Sequence, residues 1–227
     1  MSTALLSTTY FGPIQWYQKL NRYDTCLIEQ HDHFLKQTYR NRCVIATTQG
    51  LQALTVPIES PQGQRIDKTE VKDVRISDHG DWRHLHWQAL QSAYGESPFF
   101  EFYADDLYPF FEKRWEYLLD FNMAITEKMC ELIDIQPKIK LTTEFITPTE
   151  EASGTMEEAN TTVVECDEQE DSIADFRSVI RPKHPLPDPT FTSTLYYQVY
   201  KEKYGFQPNL SILDLLFNEG NEAVLFL

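Results

Sequence analysis

Basic residues are scarce in this chain: 20 Lys and Arg stand against 35 Asp and Glu in 227 residues, a formal net charge of -15. That balance excludes a general nucleic-acid binder, which needs a dominant basic face to displace counterions from phosphates. Cysteine is also sparse. Cys26, Cys43, Cys130 and Cys166 lie far apart with no CxxC pair, and three of them fall in apolar runs. A reduced, cytoplasmic protein is expected, not a disulfide framework. No apolar run reaches the ~18 residues of a membrane span, and Met1-Ser2-Thr3-Ala4-Leu5-Leu6 lacks a basic start, so neither spanning nor export is expected. With 8 Gly and 12 Pro the chain is not fibrous. No internal repeat and no GxSxG elbow occur, which leaves covalent catalysis unsupported.

What is present is a sizeable apolar fraction, 41%, with 13% aromatic residues, enough to bury a core without staples. Residues 4–8 form a short apolar run ahead of the turn Tyr10-Phe11-Gly12-Pro13. Ile14, Trp16, Tyr17 and Leu20 then repeat at helical spacing, and Thr25-Cys26-Leu27-Ile28 resumes as strand. This is a β-α-β unit. Ligands of such units gather beyond the carboxyl ends of the strands, here residues 9–12 and 29–34. The predicted class is α/β: an open mixed sheet beginning with a β-α-β unit, covered by helices, with a C-terminal helical segment.

Further along, residues 43–47 and 51–58 read as a hairpin around Thr48-Gln49-Gly50, and residues 71–76 as another strand. Asp81 is placed to cap a helix over 82–94 with Trp82, Leu85, Ala89 and Ala93 inward. Ser97-Pro98 starts an aromatic helix running to Phe111. The spacing of Leu118, Ile125, Met129 and Leu132 predicts the longest helix over 115–135, before Pro137, and residues 139–146 read as strand. Residues 147–175 hold ten acidic residues and no Lys or Arg from Thr149 onward, a composition that predicts a mobile acidic insertion. Residues 195–200 read as a strand or short helix. Residues 211–217 read as a helix capped by Asn209 or Ser211 and stopped by Gly220. The expected organisation is an α/β domain over 1–146, the insertion over 147–175, and a segment over 176–227 that packs back on the same domain.

The densest chemical candidate follows the second strand: His31-Asp32-His33-Phe34-Leu35-Lys36-Gln37-Thr38-Tyr39-Arg40-Asn41-Arg42. Lys36, Arg40 and Arg42 gather cations in an acidic protein, and guanidinium forks suit phosphate or carboxylate, so an anionic small molecule is the expected ligand. Gln37 and Asn41 accompany them as polar contacts. The plainer alternative pairs these bases with surface carboxylates. His31 and His33 are candidate general acids or bases. They lack clear further metal ligands, and no metal or cofactor is assigned. Tyr10 and Gly12 open a helix whose free N–H groups attract anions, although a single glycine is a weak signal and this turn has no histidine, which disfavours adenylyl transfer. Asp214 interrupts an apolar run near Asn218, so it needs either an ion-pair partner or a reacting group.

Three stretches resemble the WbqC-like family: residues 10–20 (YFGPIQWYQKL) with Asp24, residues 34–42 (FLKQTYRNR), and residues 209–220 (NLSILDLLFNEG). The chain departs from that pattern in the acidic insertion, at Thr8-Thr9 where other members tend to carry Gln-Pro, and at Gln30-His31 where some carry a carboxylate pair. The resemblance implies a setting in bacterial surface-polysaccharide (O-antigen) biosynthesis. It suggests a transferase that binds an activated sugar such as a sugar nucleotide, or an acyl donor, and assists acyl or aminoacyl transfer to an amino sugar. Two other readings stay open: a non-catalytic scaffold using the Phe99 to Phe111 stretch or the acidic segment as its contact, and a metal-dependent hydrolase.

Overall fold

The computed structural model describes residues 2–60, 65–147 and 173–227. The β-α-β start is present as β1 (Thr3–Ser7), α1 (Ile14–Arg22) and β2 (Thr25–Glu29), with β1 and β2 parallel and Leu5 opposite Leu27. After β2 come the antiparallel hairpin β3 (Arg42–Thr47) and β4 (Gly50–Thr55), then helices α2 (Trp82–Tyr94), α3 (Phe100–Leu107), α4 (Pro109–Glu112) and α5 (Leu118–Leu132). The short strands β5 (Ile139–Leu141) and β6 (Ile173–Asp175) join the first sheet in the order β5-β2-β1-β6, all neighbours parallel. The mixed character is thus divided between a parallel sheet and a separate hairpin. The chain closes with α6 (Lys201–Tyr204) and α7 (Ile212–Glu219).

The central strands are apolar on both faces, as expected of a covered parallel sheet: Ala4, Leu5 and Leu6 are buried. Every residue of α1 from Ile14 to Leu20 is buried too, because α7 packs across it. The C-terminal segment is tied directly to the first turn. Ile14 N–H donates to Leu210 O at 3.0 Å, Gln15 N–H to Asn209 Oδ1 at 2.9 Å, and Ser211 Oγ–H to Phe11 O at 2.7 Å. Ser211 also caps α7 through Leu213 N–H, and Gly220, at φ 61, ends it.

Several elements differ from the sequence reading, each for a visible reason. Residues 71–76 are not a strand. Val71–Asp73 is a 3₁₀ turn whose Val71 and Lys72 N–H groups bond to Asp32 O and Gln30 O. The helix expected from Trp115 begins at Leu118, since Glu116, Tyr117 and Leu118 pair with Val74 to Ile76 and commit their backbone groups first. On α2 the inward residues are Trp82, His86, Leu90, Ala93 and Tyr94, while Leu85 is 60% exposed. His86 enters the core because the Tyr10 hydroxyl meets its Nδ1 at 2.9 Å, and burial pushes its pKa down to about 4. The aromatic stretch is mostly core, yet Phe102 is 74% exposed. Residues 195–200 form no regular element, since Tyr197 N–H turns to the Glu219 carboxylate instead of a ladder. The acidic stretch lies outside the described residues except at its two ends.

Candidate functional site

A parallel sheet laid down in the order third, second, first, fourth has a switch point beside its first strand, where one connection departs to each side. The crevice beyond the carboxyl ends there is the usual ligand position. In this molecule it lies between β1 and β6, and the residues lining it include Ser7, Thr8, Thr9, Arg40, Arg177 and Arg181. The loop after β2 reaches the same place, because Tyr10 N–H donates to Tyr39 O at 2.9 Å.

The residues lining this crevice carry polar groups that are incompletely satisfied. Ser7 Oγ, Thr8 Oγ1, Thr9 Oγ1 and Arg40 Nε are buried with no hydrogen-bond partner among the described residues. A buried polar atom without a partner is costly, so four in one crevice mark a place where a ligand or water completes the bonding. The enclosed space is about 10 Å³, enough for about one oxygen-sized group.

Three guanidinium groups converge on it. Arg40, 3% exposed, is paired through Nη2 with Asp32. Burial lowers the Arg40 pKa, the Asp32 carboxylate opposes that, and the nearby Arg181 and Arg177 charges lower it further. Arg177 grips Asp175 at 2.6 Å and reaches Glu29 at 3.4 Å. Burial would lower its pKa, but Asp175 outweighs that and holds it raised. Arg181 donates only to neutral acceptors among the described residues, Arg177 O at 3.3 Å and Ser178 Oγ at 3.1 Å.

Glu29, at the end of β2, organises the floor. It is 1% exposed and accepts from His31 N–H (2.8 Å), Thr142 Oγ1–H (2.8 Å) and Ile146 N–H (3.0 Å), besides Arg177. These bonds explain why β5 ends at Leu141 and not at Ile146: beyond it the chain leaves the ladder to wrap the carboxylate.

Of the residues singled out from the sequence, Arg40 is in the crevice and the others are elsewhere. Lys36 and Gln37 are exposed on the loop. Arg42 lies in β3 and donates to Thr55 Oγ1, and Asn41 is buried against Val56 O. Tyr10 is engaged by His86. Gly12 faces Thr9, whose Oγ1 would lie 2.4 Å from an added Cβ. The α1 start it was expected to open to anions is already filled by Asn209 and Leu210. His31 places Nδ1 between Glu70 Oε2 (3.1 Å) and Lys72 Nζ (3.2 Å), with Nε2 buried and unpartnered, and His33 is exposed.

Asp214 is buried on α7, where it accepts from Tyr94 (2.8 Å), Tyr196 (2.6 Å) and Gln198 (3.3 Å). Burial pushes its pKa up to about 6 against those hydrogen bonds. Asn218 donates to Asp214 O.

Arg177, Arg181 and the hydroxyls of Ser7 and Thr8 were not among the sequence candidates, and Thr9 and Glu29 entered only within the stretches 9–12 and 29–34 beyond the strand ends. Thr8-Thr9 was visible as a departure from the family pattern, and it stands where a ligand of this fold belongs. Among the described residues the thiols are poor nucleophiles, since burial pushes Cys26 up to about 11 and Cys43 and Cys130 up to about 12. Among the described residues no cluster of His, Cys, Asp or Glu could hold a metal ion, and no helix is long and apolar enough to cross a membrane. A wider surface hollow, about 740 Å³, lies elsewhere, between residues 57–60 and 73–77. Its Arg75 is already bound by Glu116 and Tyr117, so the smaller crevice has the stronger chemical claim.

The chain is 28% identical over 227 residues to an uncharacterized protein, Rv1507c, of Mycobacterium tuberculosis, an alignment that covers 97% of this chain and 94% of that one. No solved structure matches it. The model of the WbqC-like protein family matches residues 8–225, and the chain belongs to that family.

Proposed function

We propose that the crevice at the β1/β6 switch point binds the phosphoryl groups of an activated sugar, such as a sugar nucleotide. The bound donor would serve acyl or aminoacyl transfer to an amino sugar in bacterial surface-polysaccharide biosynthesis. The observation that carries this reading is the convergence of Arg40, Arg177 and Arg181 on a row of unpartnered Ser7, Thr8 and Thr9 hydroxyls. Guanidinium forks and hydroxyls are the donors phosphoryl oxygens take, and the place is where a sheet of this order holds ligands. The enclosed space would receive one phosphoryl oxygen, with the rest of the donor outside it.

Of the two histidines, His31 is the better placed to move a proton. Its backbone donates to Glu29, and its ring nitrogen Nε2 has no partner among the described residues. The scaffold reading keeps one supporting observation: Leu195, Tyr197 and Leu225 are 65%, 54% and 72% exposed around the Tyr196–Phe226 contact.

A thermal-shift panel of sugar nucleotides on the wild type and Arg181→Gln tests the proposal, because a ligand selective for the folded state raises Tm by mass action. A sugar nucleotide should raise Tm in the wild type and not in the variant. Equal shifts in both proteins, or none in the wild type, would remove the reading.

A further inference from the structure

The charges around the crevice can be matched one by one. Asp32 takes Arg40, and Asp175 takes Arg177 at 2.6 Å. The Glu29 charge is spread over three neutral donors, His31 N–H, Thr142 Oγ1–H and Ile146 N–H, in addition to the longer contact with Arg177. Arg181 alone of the three guanidinium groups has no carboxylate partner among the described residues, and the Arg40 Nε–H is buried without a partner among them. With three guanidinium groups against three carboxylates, the crevice is neutral before a ligand enters. A second negative charge there would be desolvated with nothing to pair it, beside three carboxylates already present.

From this we infer that the crevice, read as the anion site proposed above, selects a singly charged phosphoryl group with two terminal oxygens and rejects a dianionic terminal phosphate. The non-terminal phosphoryl unit of a sugar nucleotide is such a group: each phosphorus carries one negative charge, and its ester arms can remain outside. Arg181 and Arg40 Nε would hold the charge, and Ser7 and Thr8 would donate to the inserted oxygen.

Dimethyl phosphate and monomethyl phosphate differ little in size but differ in charge at about pH 8, above the second phosphate pKa of about 6. Amide chemical-shift titrations of Thr8, Thr9 and Arg181 should show dimethyl phosphate binding about tenfold tighter or more at constant ionic strength. In Asp32→Asn, Arg40 becomes a second unmatched cation, and the preference should shrink or reverse. Tighter binding of monomethyl phosphate to the wild type, or an unchanged preference in Asp32→Asn, would overturn the charge matching while leaving the anion site intact. Acetate binding without dimethyl phosphate binding would overturn its assignment to phosphoryl. Failure of all three, together with failure of the sugar nucleotides in the thermal-shift panel, would instead remove the anion site itself.

Discussion

Arg177 Nη1 and Glu29 Oε2, 148 residues apart in sequence, meet at 3.4 Å beneath the carboxyl edge of the parallel sheet. This contact joins the end of β2 to the chain just after β6, and so fixes both walls of the crevice. Glu29→Gln keeps the shape but turns an amide N–H₂ toward groups that are all donors. The expected cost is about 1–3 kcal/mol in urea unfolding, the range for leaving buried donors unmatched, with weaker ligand binding. A variant as stable as the wild type would mean that Glu29 does not organise the floor.

Lys19 is a buried cation on α1, held by Asp188 at 2.7 Å with both side chains under 5% exposed. Its Nζ also donates to Thr190 Oγ1 at 2.6 Å and lies over the Phe176 ring. Removing one partner of such a pair costs about 3–5 kcal/mol, because the other charge stays buried alone. Lys19→Met should therefore destabilise by that order, and Lys19→Met with Asp188→Asn should recover part of the loss. The double variant measures the coupling, and strict additivity would contradict it.

Asp214 gives the fold a defined pH dependence. Its folded pKa, about 6, lies above the ordinary 3.8, so the native state binds the proton more tightly than the unfolded chain. The stability contributed by the protonated acid is complete below pH 3.8, declines as pH rises through that window, and is lost above about 6. The whole change amounts to about 3 kcal/mol. Other groups titrate in the same range, so the clean quantity is the stability of the wild type minus that of Asp214→Asn. That difference should fall between pH 4 and 7 by about this amount, and a flat difference would be inconsistent with the account.

Gly12 is required by contact and not by dihedral freedom. An added Cβ would lie 2.4 Å from Thr9 Oγ1 and 2.9 Å from Thr9 Cβ. Gly12→Ala should cost about 1–3 kcal/mol as an overpacking change, and pairing it with Thr9→Gly should relieve the clash. Thermal unfolding of the two variants checks this. No relief in the double variant would place the strain elsewhere, for example at the adjacent Phe11, which holds φ 40.

The β-α-β start, the hairpin and α7 were legible because their apolar periods and turn residues are local. Where the proposed crevice opens could be anticipated for the same reason, since a β-α-β unit fixes which end of its strands is open. Its composition could not be. Arg177 and Arg181 follow a strand separated from β1 by most of the chain, and only the parallel pairing of Thr3 with Ile173 brings them to Thr8 and Thr9. Arg42 and Asn41 looked equivalent to Arg40 in sequence. The strand β3 begins at Arg42, and its pairing with β4 turns those side chains to Thr55 and Val56 instead. His86 was hidden for another reason: a histidine kept neutral by burial packs like an aromatic, which shifts the inward face of α2 away from Leu85.

The most direct measurement is a crystal structure with a sugar nucleotide bound. The account predicts a phosphoryl oxygen within hydrogen-bond distance of Arg40 Nε and the Ser7 or Thr8 hydroxyl, with the Arg181 guanidinium against the same group. A sugar nucleotide seated elsewhere, with the crevice closed and its hydroxyls filled by water, would contradict it.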